Sequence, residues 1–149
     1  MITGLTHTHS LLRWILLVLL VYAVIRALTS AGKRYFEKDR KTALVVLILS
    51  HIQLLLGFSL YFMKGWHNML GASETMKNEF TRFWAVEHMS GMLVAIILIT
   101  MGYGRIKRAS DDKAKWKKQG IFFGIALLII LLMIPWPFRG EAFAAYGWF

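Results

Sequence analysis

Cysteine is absent from the 149-residue chain, and proline occurs only twice. The first absence excludes disulfides, thiolate metal sites, cysteine nucleophiles and haem attached through a C-x-x-C-H motif. Acidic residues are also scarce: eight Asp and Glu stand against 18 Lys and Arg, for a formal charge of +10. The glycines are scattered and form no phosphate-binding loop, and no hydrolase or transferase constellation is present. An independent enzyme is therefore not expected. Low-complexity segments are lacking as well.

What the chain has in abundance is apolar surface. Hydrophobic residues make up 57% of it and the mean hydropathy is +0.53, beyond the roughly 45–50% apolar content of ordinary soluble domains. A bilayer core of about 30 Å takes about 20 apolar residues in a helix. Four segments qualify: residues 10–28, 42–63, 83–103 and 120–135. The last is short, but "PWPF" (Pro135 to Phe138) extends its apolar reach while the two prolines stop the helix. The expectation is a single all-α membrane domain over 1–149, an up-down-up-down bundle of four transmembrane helices. A cleaved signal peptide is not expected, because the first apolar run is long and no small-residue cleavage site follows it.

The cations give the orientation. Arg26, Lys33, Arg34, Lys38, Arg40 and Lys41 fall in the first connection, and Arg105, Lys107, Arg108, Lys113, Lys115, Lys117 and Lys118 in the third. Only Arg13, Lys64, Lys77, Arg82 and Arg139 lie elsewhere. The positive-inside rule then puts both connections in the cytoplasm and both termini outside, as in a bacterial inner membrane with periplasmic termini. Membrane topology and anionic lipid headgroups, rather than nucleic acid, account for the charge. Trp14, Trp66, Trp84 and Trp136 should form an outer aromatic belt, with Trp116 at the inner side. The second connection should carry a short interfacial helix from Glu74 to Phe80 capped by Ser73.

Five histidines remain to be explained: His7, His9, His51, His67 and His88. His67 reads as an ordinary solvated side chain. His9 lies 17 residues before Arg26, and His88 lies 17 before Arg105. Both helices run from outside to inside, so the two imidazoles should sit at one depth near the outer surface. His51, ten residues after Lys41 on a helix of opposite sense, should be roughly 10 Å deeper. The first and third helices of such a bundle are diagonal neighbours facing one core. Two imidazoles placed that way can approach a metal from opposite sides, as a b-type haem requires without any cysteine. His7 is about 200° around the helix from His9 and cannot share its face. His9 also has Arg13 one turn on, placed to receive a propionate.

Other readings stay open. His51 can replace one member of the pair, ligate a second haem, bond to a quinone or water, or be a structural group satisfied by a neighbouring helix. Gly57, Gly91 and Gly102 can make room where a porphyrin passes backbone, Gly91 being the preferred candidate. Met63, Met89 and Met92 can soften a copper site instead. Glu87 pairs with Arg82 or Arg13, or else orients a neighbour or takes up a proton on reduction. A cofactor-free accessory subunit of a respiratory or transport complex is the main alternative to a cytochrome. A small transporter ranks last, because the spans hold few midplane polar groups beyond Ser50, His51 and Gln53.

The segments "HTHSLLRW", "SHIQLLLGFSLYF", "RFWAVEHMSGM" and "IPWPFR" together resemble small four-helix membrane proteins of Bacteroidetes-type bacteria usually labelled "cytochrome B". The resemblance runs from His7 to Arg139 and includes His9, Arg13, His51, Glu87 and His88. It implies a haem b. From the cytochrome reading, one haem or two, the expectation is electron transport in a respiratory chain, between the quinone pool and other membrane subunits. The tail "GEAFAAYGWF" lies outside it, and its aromatic character suggests docking on lipid or a partner.

Overall fold

The structure, a computed structural model, describes residues 1–144. Four long helices are apolar enough to cross a membrane: α1 (Ile2–Thr29), α2 (Glu37–Met63), a third that runs Glu79–Lys107, and a fourth at Asp112–Met133. Between α2 and the third span lies the short α3 (Ser73–Lys77). The third span is built of α4 (Glu79–Arg82), a π-helical turn at Phe83–Glu87, and α5 (His88–Lys107). The fourth is α6, and a one-turn α7 (Glu141–Ala144) follows. No strand occurs among the described residues.

Long helices form because the spans contain no proline, and their ends are set by specific groups. The Asp39 carboxylate accepts from the Phe36 N–H at 3.1 Å, capping α2, and from Arg26 of α1 at 2.9 Å. One buried carboxylate thereby closes the α1–α2 hairpin. Asp111 caps α6 through the Ala114 N–H at 2.8 Å. Asn78 caps α4 through the Thr81 N–H at 3.1 Å. That last cap corrects the expected interfacial helix: the chain is extended at Asn78, so α3 stops at Lys77. Ala72, not Ser73, precedes α3, and no side chain caps it.

Around the bundle α1 packs on α2 and α6, and α5 packs on α2 and α6, which leaves α1 and α5 diagonal. Leu20, Val46, Ile99 and Phe123, one from each helix, are fully buried at the centre. Large apolar residues such as Val18, Leu28, Leu55, Leu128 and Leu132 face outward instead. Lipid tails are as apolar as leucine, so tight packing rather than water exclusion holds such helices together. Small residues allow it: a Cβ at Gly102 would come within 2.6 Å of Phe122 Cβ.

The two ends of the bundle differ in chemistry. At the end holding the two basic connections, the Tyr35 hydroxyl donates to Gln119 Oε1 at 2.7 Å, and Gln119 Nε2 donates to the Ala23 carbonyl at 2.8 Å. Trp116, buried there, donates to the Lys33 carbonyl at 3.0 Å. At the opposite end Trp14 meets Trp136 at 6.2 Å and Trp66 stacks on Trp84 at 6.1 Å, the four residues expected to form a belt. Phe143 of the tail packs on Phe80 and Phe83 of this chain, at 5.3 and 5.1 Å. That part of the tail therefore docks on the protein itself, because an aromatic pocket is already waiting there. The remaining tail residues, Ala145 to Phe149, lie outside the described residues.

Candidate functional site

An open cavity of about 130 Å³ lies between the four helices at the tryptophan-rich end. On α1, Thr6, His9, Ser10, Arg13, Leu16 and Leu17 face it, a spacing of three and four residues that keeps one helical face turned inward. Gln53, Gly57 and Lys64 of the α2 side line it as well, and α5 contributes His88, Met89 and Met92. Its deeper wall is apolar, with Leu16, Leu17, Ile96 and Ile130. No Asp or Glu lines it among the described residues, whereas Arg13 and Lys64 do. A mostly apolar cavity with cations on its wall suits an apolar molecule that bears an anionic group.

His9 is held at its backbone and across its ring. Gln53 Nε2 donates to the His9 carbonyl at 2.8 Å. A Cβ at Gly57 would sit 3.4 Å from His9 Cε1, so the absence of a side chain there lets the imidazole lie against α2. Its Nδ1 is buried and has no hydrogen-bond partner.

His88 owes its position to two local departures from α-helix. The π turn ends at it, with its backbone N–H reaching back five residues to the Phe83 carbonyl. Such turns re-aim the side chains that follow and are frequent at functional sites. The Tyr61 hydroxyl donates to the Ala85 carbonyl within that turn at 2.9 Å, tying it to α2. The second departure is the end of α6. Pro135 and Pro137 have no N–H to give to the carbonyls of Leu131 and Met133, four residues before each. Side chains replace them: Trp136 Nε1 donates to Leu131 at 2.8 Å, and His88 Nδ1 lies 2.7 Å from the Met133 carbonyl. Arg139 covers the Leu132 carbonyl at 3.1 Å. A carbonyl can only accept, so Nδ1 carries the proton and Nε2 is left as the basic nitrogen. Metal-bound histidines are oriented by the same kind of contact.

The other candidates are dispersed. His51 is exposed on the outward face of α2, with Nδ1 2.8 Å from the Leu47 carbonyl, and does not line the cavity. Gly91 does not line it either: it accommodates Met133, whose Cγ would lie 2.5 Å from a Cβ there. Of the three candidate glycines only Gly57 borders the cavity, and of the three methionines only Met89 and Met92. Glu87 pairs with Arg82 at 2.6 Å, the plainer of the readings considered for it. His7 is exposed. His67 is not freely solvated but partly buried beside Phe62, at 5.1 Å. No three His, Asp or Glu side chains converge among the described residues.

Two contributors, Lys64 and Gln53, were not assigned to a site in the sequence, where they read as an outer cation and a midplane polar group. Both were legible in principle, since Gln53, Gly57 and Lys64 repeat at four and seven residues along α2. No family model, curated protein or solved structure matches this chain.

Proposed function

We propose that this chain is a b-type cytochrome of the bacterial inner membrane, with one haem held between His9 and His88 near the outer face. The observation that carries the reading is that imidazoles from two diagonal helices line one apolar cavity with cations on its wall. Haem, when bound, supplies one-electron redox chemistry, and it brings four nitrogens of its own, so that two protein ligands suffice. The residues present fit it. The Met133 carbonyl holds the His88 ring with Nε2 unprotonated, and Gly57 leaves room for His9. Arg13 and Lys64 on the cavity wall favour carboxylate arms. Leu16, Leu17, Ile96 and Ile130 keep water from the deeper wall. The resemblance to proteins labelled "cytochrome B" points the same way.

The chain passes electrons between the quinone pool and other membrane subunits of a respiratory complex. Thirteen of its 18 Lys and Arg fall in the two connections opposite the termini, which supports periplasmic termini. A specific observation favours a second reading, a cofactor-free accessory subunit: the bond to Met133 also serves as a helix cap and gives His88 a structural reason to exist.

A pyridine haemochrome assay on detergent-purified protein, made with ample haem, separates the two. The cytochrome reading expects close to one haem b per chain and a sharp reduced alpha band. Colourless protein leaves the accessory subunit.

A further inference from the structure

The two imidazoles that line the cavity are restrained unequally. His88 Nδ1 donates to the Met133 carbonyl at 2.7 Å. Its ring also packs on Phe83 at 5.6 Å and on Trp84 at 5.2 Å. The π turn before it is held by the Tyr61 hydroxyl on the Ala85 carbonyl, and Phe83 and Ala85 are buried. His9 has no such anchor on its ring. Its Nδ1 is buried without a hydrogen-bond partner, and Gln53 grips only its backbone carbonyl. Against the ring stands Gly57, which has no side chain to pin it. The turns of α1 that lead into His9 are thinly packed as well. Met1 to Gly4, His7 and Thr8 are exposed, no side chain caps the first turn, and a Cβ at Gly4 would meet nothing within 4 Å. Stretches with few buried contacts open locally at low free-energy cost.

A hydrogen bond on the far nitrogen of a ligating imidazole orients the ring and makes the near nitrogen a better donor to the metal. His88 has that bond and His9 does not. We propose that His9 is the exchangeable one of the two haem ligands, so that a small neutral diatomic molecule takes its place while His88 stays bound. The inference rests on the cytochrome reading and adds gas binding to electron transfer. In the exchange the bond from iron to the His9 nitrogen breaks and one from iron to the incoming molecule forms, with no electron lost. Beyond Arg13 on the same face of α1, Leu16 and Leu17 line the cavity. Pocket polarity helps decide whether a haem binds gases or only passes electrons, and an apolar wall suits an uncharged diatomic molecule.

The test adds carbon monoxide to the dithionite-reduced, haem-loaded full chain and to its His9→Gly variant. The infrared C–O stretch of each adduct reports the ligand on the opposite side of the iron. The wild-type stretch should match that of His9→Gly, because His88 is opposite in both. His9→Gly should bind carbon monoxide at least about tenfold more tightly, since no imidazole has to leave first. A second measurement needs no variant: ¹⁵N spectra of haem-free wild type should show one tautomer for His88 and an exchanging pair for His9. Haem-loaded wild type that forms no adduct overturns the inference. So does a wild-type stretch that differs from that of His9→Gly, or a single His9 tautomer in the haem-free chain. Protein that binds no haem fails the cytochrome reading itself, a result distinct from haem without an adduct.

Discussion

His9 and His51 differ in the face of the helix each occupies. His9 sits on the face of α1 that repeats through Ser10, Arg13 and Leu17 into the cavity, whereas His51 shares the outward side of α2 with Ile52 and Leu55. In the sequence, counts to the flanking cations separated the two by depth. The outward placement of His51 was missed because its own stripe, through Leu55 and Ser59, was read without the face that Gln53, Gly57 and Lys64 mark beside it. His51→Ala should therefore leave the haem content of purified protein unchanged. Arg13 and Lys64 carry a separate prediction. Haemin should bind the wild-type chain at least about tenfold more tightly than its dimethyl ester, a difference of about 1.4 kcal/mol. In the Arg13→Gln, Lys64→Gln double variant that preference should collapse. Equal binding of both ligands by the wild type would remove the anion-binding role while leaving the ligand pair intact.

At the scale of elements, the end of α6 shows how a short motif acquires its meaning from its surroundings. "IPWPFR" reads in sequence as a helix stop. In the fold it also leaves the carbonyls of Leu131, Leu132 and Met133, just before it, to side-chain donors, and the last of these orients His88. The stop was legible because proline lacks an N–H, but its partner, 45 residues away, was not. The π turn at Phe83–Glu87 was equally hidden, since nothing in "FWAVE" distinguishes it from α-helix. The opposite end of the bundle is held by the Tyr35–Gln119–Ala23 chain. Tyr35→Phe leaves Gln119 Oε1 buried without its donor and should cost roughly 1–3 kcal/mol in detergent unfolding. Burial, and next the charge of Asp39, raise the Tyr35 phenol well above the usual tyrosine value of about 10. The folded state thus favours the protonated phenol. Its contribution is complete below pH of about 10 and is lost as pH rises above that, where the unfolded chain ionises first. Thermal unfolding across that range should show a steeper alkaline decline in wild type than in Tyr35→Phe.

For the molecule as a whole, the four-helix architecture follows from the spacing of apolar runs, and the expected diagonal placement of first and third spans is what the bundle adopts. Helices exceed the apolar runs because caps outside the membrane, such as Asp39 and Asp111, decide where they begin. Phe143 shows the limit of composition: aromatic character marked the tail as a docking element, while only the fold reveals Phe80 and Phe83 as its seat. The lack of native cysteine makes topology directly measurable. Single cysteines placed at Lys38 and at Asn68 should be reached by a membrane-impermeant thiol reagent from opposite sides, with position 68 labelled in intact spheroplasts and position 38 only after lysis. Labelling in the reverse sense would invert the proposed orientation.

The central claim is that His9 and His88 together hold one haem. The most direct measurement is the dithionite-reduced minus air-oxidised spectrum of purified wild type beside His9→Ala, His88→Ala and His51→Ala. A sharp alpha band that survives at position 51 and is lost at both 9 and 88 is the predicted result. A band that persists without His9 but vanishes without His51 would contradict the ligand pair, and no band in any of the four proteins would contradict the cytochrome itself.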